Sequence, residues 1–338
     1  MHKSEPSLIL AIETSCDETS AAVIVENQVL SNIISSQIAM HEKWGGIVPE
    51  AAARAHIESI IPVIQSALTE AQVVLTDIRA IAVTNRPGLV GALSVGVTAA
   101  KSLAYSLGLP IIGVDHLEGH LLACMAGNQS IPFPMISLLV SGGHSELVLI
   151  CALGEYELIG QTRDDAAGET FDKGARLLGL GYPGGRRVSE LAESGNPKRY
   201  SLPRGLAKER YDLSFSGLKT AMLRLVESEG TNLNVPDACA SLQAAICESL
   251  LTKLKNAVED HSPASIGLCG GVAANVELRN QVVALANRYG IPTLIPSGEL
   301  CTDNAAMIGL AASYRLAKGE RSGIELDVHP NSNLFSKS

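Results

Sequence analysis

The sequence predicts the same order of strands and helices twice along the chain. Two apolar runs at residues 8–12 and 21–25 flank a polar turn, which is the pattern of a β-hairpin. Residues 135–150 repeat this hairpin, and in each half a third strand and then helical patterns follow. The sequence therefore predicts an α/β protein with two duplicated lobes. Because each mixed sheet would be covered by helices, we expect the lobes to face each other across a ligand cleft.

The order of helices and strands sets the expected lobe boundaries. The N-terminal lobe is expected to comprise residues 1–115 together with residues 305–338, whose helix returns to it, and the C-terminal lobe residues 116–304. Apolar periods near 3.6 residues predict the main helices of the second half at about residues 167–178, 217–227, 236–260, 275–289 and 304–316.

Composition disfavours several classes of protein. No uninterrupted stretch of ~18 or more apolar residues is present, and the N-terminus lacks the pattern of a secretory signal. The seven cysteines are scattered and never spaced as Cys-x-x-Cys, which argues against both a disulfide framework and a thiolate zinc site. The sequence therefore predicts a cytoplasmic protein without a membrane span.

One segment departs from the formal net charge of −9. Between Arg186 and Arg224 the sequence has nine basic and four acidic residues, so this segment carries +5 and the remainder −14. Such a segment is either an ordinary solvated surface or a nucleic-acid contact, because phosphate binding depends on Lys and Arg. The charge pattern leaves both interpretations open.

The segment HLEGH at residues 116–120 is the sharpest local signal of chemistry. On a helix, His116 and His120 would project from the same side one turn apart and could share a metal ion, although such a spacing also occurs in purely structural helices. A zinc protease would need Glu directly after the first His. Here Leu117 follows it, and Glu118 would lie about 200° around the helix from His116. We therefore disfavour a protease.

A metal held by two imidazoles needs at least one further ligand. Asp303 precedes the last long helical pattern, where it could complete the site or simply cap that helix. With His116 and His120 it would form a set that favours zinc or iron over magnesium.

Three Gly-containing turns are candidates for phosphate or nucleotide contacts, because Gly lets a ligand approach backbone N–H groups closely. They lie at residues 140–143, 182–185 and 269–275, and the third has the best context since it follows a strand and opens a helix. Asp172, in the acidic segment 164–172, could accept a hydrogen bond from a substrate hydroxyl or ammonium group. Each of these could also be only a turn or a helix cap.

Seven motifs occur in one order along the chain: IETSCDET at 12–19, HLEGH at 116–120, VSGGH at 140–144, the acidic segment 164–172, FSGLK at 215–219, GGVAAN at 270–275 and CTDN at 301–304. Together they closely resemble the tRNA N6-adenosine threonylcarbamoyltransferase family, over about residues 8–329. The ordered set is specific, whereas any single motif is not.

The resemblance implies an actin-like ATPase fold of the sugar kinase and Hsp70 type. It also implies transfer of threonylcarbamoyl from threonylcarbamoyl-AMP to N6 of the adenosine on the 3′ side of the anticodon, in tRNAs that read codons beginning with A, with release of AMP. The length resembles the bacterial or organellar branch. The implied partners are tRNA, a degenerate paralogue of the same fold and a small P-loop ATPase, and a homodimer is also compatible.

The resemblance assigns roles to individual residues. The metal ligands would be His116, His120 and Asp303, holding one iron or zinc ion per subunit, and Mg²⁺ could accompany a bound nucleotide. The nucleotide or adenylate would contact a set drawn from the Gly-containing turns and their neighbours: Leu139, Val140, Ser141, Gly142, Gly143, Asp172, Gly185 and Asn275.

The transfer itself needs a group that accepts a proton from the attacking amine. We expect Asp17 or Glu18 in the first hairpin turn to do so, although both could merely organise that turn. The alternative functions are a carbamoyltransferase or a small-molecule kinase on the same fold, neither of which would need tRNA. A non-catalytic scaffold like the paralogue should lack the His116, His120 and Asp303 set.

Overall fold

The computed structural model describes residues 7–128 and 130–335. The chain divides into two compact units, of which unit 1 comprises Met1–Ile131 and Pro296–Ser338, and unit 2 comprises Pro132–Ile295. These boundaries differ from the predicted 115/116 and 304/305. The reason is that the helix bearing the two histidines packs against the last helix of the chain, so the histidines and Asp303 lie together in unit 1.

In the part of the chain that the structure describes, ten strands form two five-stranded sheets. The strands are β1 Leu8–Glu13, β2 Glu18–Val25, β3 Gln28–Ser36, β4 Ala80–Arg86, β5 Ile111–Asp115, β6 Met135–Val140, β7 Ser145–Ala152, β8 Glu155–Gln161, β9 Ser265–Cys269 and β10 Thr293–Leu294. The sheet of unit 1 has the order β3-β2-β1-β4-β5 and that of unit 2 the order β10-β9-β6-β7-β8.

Ten α-helices cover these sheets within the described residues. They are α1 Ile38–Glu42, α2 Pro49–Glu70, α3 Val90–Leu107, α4 His116–Leu122, α5 Ala167–Leu177, α6 Gly185–Ala192, α7 Ser216–Glu229, α8 Val235–His261, α9 Val276–Tyr289 and α10 Ala305–Ala317. The predicted long helices are confirmed to within about two residues at each end.

The predicted duplication is confirmed in the strand directions. In unit 1, β1 pairs antiparallel with β2 and parallel with β4, while β2 pairs antiparallel with β3 and β4 parallel with β5. In unit 2, β6 pairs antiparallel with β7 and parallel with β9, while β7–β8 and β9–β10 repeat the other two pairings. Both units therefore begin with a hairpin whose first strand is central in its sheet.

The sheet of unit 1 is buried on both faces, because its side chains alternate between two layers of helices. Leu10 and Ile12 of β1 belong to the core formed with α2 and α3. On the other face, Gly309 of α10 lies so close to the sheet that an added Cβ would be 2.3 Å from Ile24 and 3.2 Å from Ala11. This close packing sets α10, and therefore Asp303 before it, against the ends of the central strands.

Helix α3 is long and apolar enough to cross a membrane by length and composition alone, with a mean hydropathy of 1.2. Its apolar sequence is interrupted by Lys101 and by four Ser and Thr residues. Ala92, Leu93 and Val97 are buried, and the helix packs on β4 and α2. In this fold α3 is a core helix of unit 1.

Candidate functional site

Three chain segments of unit 1 bring the predicted metal ligands together. Strand β5 leads directly into α4, whose first turn begins with His116 and whose next turn carries His120. The side chain of Asp115 accepts a hydrogen bond from the Leu117 amide at 2.9 Å and so fixes the start of α4. Asp303 comes from the other end of the chain, just before α10.

The distances between these side chains are those of a metal site. Oδ1 of Asp303 lies 3.4 Å from Nε2 of His116 and 3.2 Å from Nε2 of His120, and the three ligand atoms lie within 4.8 Å of one another. In a tetrahedral site with metal bonds of about 2.0–2.1 Å, neighbouring ligand atoms are about 3.3–3.4 Å apart. The donor set and its spacing therefore fit a divalent zinc or iron ion.

Asp303 does not cap α10. The cap is Asn304, whose side chain accepts a hydrogen bond from the Met307 amide at 3.0 Å. Since the neighbouring residue satisfies the helix end, the carboxylate of Asp303 is directed at the two histidines instead. The capping alternative raised from the sequence is thus wrong for Asp303.

Glu13 is a residue of this site that the sequence did not identify. Its Oε2 lies 3.1 Å from Nδ1 of His116, on the opposite side of the ring from Asp303, and it also accepts hydrogen bonds from the Thr84 hydroxyl and the Ser15 amide. Carboxylates that receive the second ring N–H of a metal-binding His fix its tautomer and orientation. The available signal was a charged residue ending an otherwise apolar buried strand.

The electrostatics of the cluster favour a positive charge between its carboxylates. Burial lowers the pKa of His116, but the charges of Asp303 and Glu13 outweigh burial and hold it well above its ordinary value. Burial opposes ionisation of Asp303 and Glu13, yet His116 holds the pKa of both carboxyls below their usual values. Burial lowers the pKa of His120. Two carboxylates thus enclose one positive charge, which either a proton on His116 or a metal ion can provide.

The predicted acidic turn borders this cluster. Burial, together with the nearby charges of Asp17 and Asp303, raises the pKa of Glu18 to about 9. The Ser36 hydroxyl donates to Oε1 of Glu18 at 3.1 Å. Glu18 is therefore protonated at neutral pH in the metal-free protein and acts there as a hydrogen-bond donor rather than a base.

Glu118 points away from the histidines, as predicted from the helical geometry. It is buried and forms an ion pair of 2.6 Å with Arg315 of α10. Arg315 also donates to the Gly113 carbonyl of β5 at 3.1 Å. This pair connects α4 and α10 behind the cluster and leaves Glu118 unable to serve a water molecule on the histidine side.

In unit 2 the structure gathers the predicted nucleotide residues at one end of the sheet. Leu139 and Val140 end β6, and residues 141–143 form the tip of the hairpin. A Cβ on Gly168 at the start of α5 would lie 2.6 Å from the Ser141 carbonyl, and one on Gly270 only 2.4 Å from the Val140 carbonyl. Added Cβ atoms on Gly142 and Gly143 would meet nothing, so this tip keeps open space.

Asp172 and Asn275 have structural partners of their own. Oδ1 of Asp172 accepts hydrogen bonds from the amides of Gly184 and Gly185 at 2.7 and 3.2 Å, which fixes the start of α6. Asn275 caps α9 through the Leu278 amide, and its Nδ2 donates to Ser189 at 3.2 Å and Gln243 at 2.7 Å. Both residues therefore organise the Gly-containing turns around the hairpin tip.

The basic segment is partly neutralised. Arg186, Arg204 and Arg210 form ion pairs with Glu190, Glu248 and Asp260. Five other cations are exposed and have no ion-pair partner within residues 7–128 and 130–335: Lys198, Arg199, Lys208, Lys219 and Arg224. These five, rather than all nine, are available to an anionic surface.

The fold is shared with solved structures of low sequence identity. Full-length HypF in its phosphate- and nucleotide-bound form aligns with a TM-score of 0.60 and 16% identity, over 94% of this chain and 47% of HypF, so the chain spans about half the length of that protein. The activator of 2-hydroxyisocaproyl-CoA dehydratase from Clostridium difficile, with bound ADPNP, aligns with a TM-score of 0.54 and 12% identity, over 94% and 99% of the two chains. The predicted actin-like ATPase fold is confirmed.

Sequence comparisons are more specific. The family profile described as tRNA N6-adenosine threonylcarbamoyltransferase matches residues 28–310. A protein of that name from Geotalea uraniireducens is 49% identical over 330 residues, covering 96% of this chain and 95% of that protein. Another from Moorella thermoacetica is 48% identical over 328 residues, covering 96% of both. The chain, with its His116, His120 and Asp303 cluster, therefore belongs to the tRNA N6-adenosine threonylcarbamoyltransferase family.

Proposed function

We propose that the chain transfers the threonylcarbamoyl group from threonylcarbamoyl-AMP to N6 of the adenosine 3′ to the anticodon, in tRNAs reading codons that begin with A. The products are threonylcarbamoyladenosine and AMP. The observation that carries this proposal is the convergence of His116, His120 and Asp303 beside an acidic turn, in a chain of this family.

His116, His120 and Asp303 would hold one iron or zinc ion, with Glu13 orienting the ring of His116. When bound, such an ion supplies Lewis-acid polarisation of a carbonyl oxygen. Asp303 is the most exposed of the three, with a side chain 25% accessible against 10% and 0% for the histidines, so a substrate would approach from its side.

The proton balance of the reaction assigns different tasks to the two turn carboxyls. As the N6 nitrogen forms its bond to the carbamoyl carbon, the bond from that carbon to the phosphate oxygen breaks and AMP leaves with the electron pair. One amine proton must go to a base. Because burial keeps Glu18 protonated, we assign the acceptor role to Asp17 and a hydrogen-bond donor role to Glu18.

The nucleotide part of the donor is proposed to bind unit 2, at the hairpin tip Leu139–Gly143 and the turns organised by Asp172 and Asn275. Bare backbone amides near open space support this assignment, since they suit phosphate oxygens. Gly185 is the first residue of α6, and the nucleotide would bind beside this end of the helix. Mg²⁺ accompanying a bound nucleotide is part of the same proposal.

The five exposed cations of the basic segment are proposed to contact tRNA phosphates, because Lys and Arg supply most of the affinity for nucleic acid. A degenerate paralogue of the same fold and a small P-loop ATPase are the proposed protein partners. A cytoplasmic location is also proposed, since none of the seven cysteines, all within the described residues, forms a disulfide bond.

The test is a reconstituted reaction. Purified chain, the two proposed partners, threonylcarbamoyl-AMP and unmodified tRNA are incubated, and nucleosides are identified by mass spectrometry. We expect threonylcarbamoyladenosine with wild type and none with the double variant His116→Ala, His120→Ala. Phosphorylation or carbamoylation of a free hydroxyl compound without tRNA would instead favour the kinase or carbamoyltransferase alternative, and full product from the double variant would contradict the proposed site.

A further inference from the structure

The turn that carries Asp17 and Glu18 is connected to the interior of unit 1 by a chain of buried side chains. Three of them, Gln37, His41 and His56, are 7%, 0% and 0% exposed. None of the three belongs to the metal cluster, and the transfer step described above uses none of them. Their hydrogen bonds nevertheless end at the backbone of the acidic turn.

The contacts fix the tautomer of His56. Nε2 of His56 lies 3.0 Å from the Cys16 carbonyl oxygen, which can only accept, so this nitrogen must carry the proton. In the neutral ring Nδ1 is then an acceptor. It accepts a hydrogen bond from the Thr19 hydroxyl at 2.7 Å, and the side-chain nitrogen of Gln37 lies 3.3 Å from the same atom.

The same logic continues to His41. Because Nε2 of Gln37 donates to His56 and to the Ala52 carbonyl at 3.3 Å, its Oε1 is left to accept from Nε2 of His41 at 3.2 Å. Nδ1 of His41 in turn accepts from the Val48 amide at 3.3 Å. With both rings neutral, both Nε2 protons meet an acceptor, while the Thr19 hydroxyl and the Gln37 side-chain amide share the lone pair of the His56 Nδ1. A buried hydrogen-bond network of this kind restricts the arrangement of its members.

The network holds the backbone of the turn on both sides of Asp17. Nε2 of His56 donates to the Cys16 carbonyl before it, and the backbone N–H of Gln37 donates to the Asp17 carbonyl at 3.0 Å. The hydroxyl of Thr19, directly after Glu18, is held by the same imidazole. Asp17 and Glu18 therefore lie on a backbone segment whose position is fixed by hydrogen bonds from His56 and Gln37.

We propose that His56 is a positioning residue of the transfer reaction, which holds the Cys16–Thr19 backbone so that Asp17 and Glu18 meet the reacting amine, with Gln37 and His41 fixing its ring. The inference rests on the proposed function for its catalytic part. Reacting groups need placement within about 0.5 Å, so a loosened turn slows the chemical step while binding of both substrates persists.

The test compares His56→Leu, which removes both hydrogen-bonding nitrogens, with His56→Gln, which can still donate and accept, and with the exposed control His329→Leu. Single-turnover transfer is measured at saturating tRNA and donor, together with the KM of tRNA, metal content and thermal unfolding. We expect His56→Leu to slow transfer by about 10–100-fold at unchanged metal content and KM within about twofold. His56→Gln should recover much of the rate, and His329→Leu should match wild type.

Amide exchange of the peptide covering residues 14–20 is measured on the same samples. Faster exchange of this peptide alone in His56→Leu supports the positioning role, and unchanged exchange overturns it. A folded His56→Leu protein with wild-type transfer also overturns it. If His56→Leu does not fold, Thr19→Val, which removes one contact to the same ring, replaces it under the same criteria. No transfer by wild type, together with faster exchange in the variant, would reject the proposed function while leaving the positioning of the turn in place.

Discussion

At the scale of single residues, the carboxyl of Glu18 gives a prediction with a definite sign. Its folded pKa is raised from 4.5 to about 9, so folding favours the protonated form. The stability that this form contributes is complete below pH 4.5 and is lost as the pH rises toward 9. Glu18→Gln, which mimics the protonated form, should therefore stabilise the metal-free protein increasingly between pH 5 and pH 9.

The size of this effect is bounded by about 1.4 kcal/mol per pH unit for one proton, and we expect roughly 1–3 kcal/mol at pH 8 after solvent screening. Urea unfolding of both proteins at several pH values measures it. Glu58→Gln, at an exposed position, is the matched control. The difference in unfolding free energy between this variant and wild type should not change with pH. Parallel stability curves for Glu18 and Glu18→Gln would contradict the raised pKa.

The charge on His116 leads to a second prediction at this scale. Since Asp303 and Glu13 hold its pKa well above the ordinary value, the metal-free protein favours a protonated His116, and a metal ion must displace that proton. We expect about one proton to be released per zinc ion bound. Calorimetric titrations in two buffers of different ionisation enthalpy count it, and zero protons released would show that His116 is already neutral.

Residue-level prediction from sequence succeeded where the signal was local. The spacing of His116 and His120 indicated a shared face of one helix, and α4 presents them that way. Glu13 was not predicted because it contacts His116, which is 103 residues away in the sequence. The pattern of a buried strand does not show which distant side chain its last residue will contact. The role of His56 was not predicted for the same reason, since its hydrogen-bond partners come from the β1–β2 turn and from Gln37.

At the scale of elements, the Glu118–Arg315 ion pair connects α4 to α10. Removing one member leaves the other charge buried without its partner, which typically costs about 3–5 kcal/mol. Because the Arg315 side chain is 26% exposed, we expect a loss below that range, about 2–3 kcal/mol, for Glu118→Leu. Denaturant unfolding measures this loss.

The matched variant for this prediction is the double substitution Glu118→Leu, Arg315→Met. It removes both charges together, so it should recover most of the stability that Glu118→Leu loses. A single variant as stable as wild type would mean that the ion pair does not hold α4 against α10.

Elements with long apolar periods were predictable, and short ones were not. Helices α8, α9 and α10 begin and end close to the expected residues because caps and periodicity agree over many turns. Helix α6 was missed, since it has only eight residues and begins at the glycine pair Gly184–Gly185, which the sequence alone makes look like a turn. Its start is set by Asp172 from α5, a tertiary contact.

At the scale of the whole molecule, the metal ligands come from two distant segments of one unit. His120 and Asp303 are separated by 183 residues, and unit 2 lies between them in the sequence. An ion that binds only the folded chain should therefore stabilise unit 1, by about 2.7 kcal/mol at a free concentration 100-fold above its Kd. Thermal unfolding with zinc and with chelator measures this. Asp303→Asn should lose most of the difference, and an equal shift in that variant would place the ion elsewhere.

The duplicated architecture was predictable as a whole because both hairpins carry the same pattern of apolar runs and a small or acidic turn. The boundaries between the two units were less predictable from the sequence. They were expected at the first histidine, whereas the packing of α4 on α10 retains the histidines in unit 1. That contact joins residues far apart in sequence, so no local composition change marks it.

The cluster of His116, His120 and Asp303, with its acidic turn, is proposed to perform threonylcarbamoyl transfer to tRNA. The single-turnover rate of transfer from isolated threonylcarbamoyl-AMP to unmodified tRNA tests this role, with wild type and Asp303→Asn compared under identical metal loading conditions. We expect modified adenosine with wild type and a rate at least about 100-fold lower with Asp303→Asn. A wild-type rate in Asp303→Asn would contradict it.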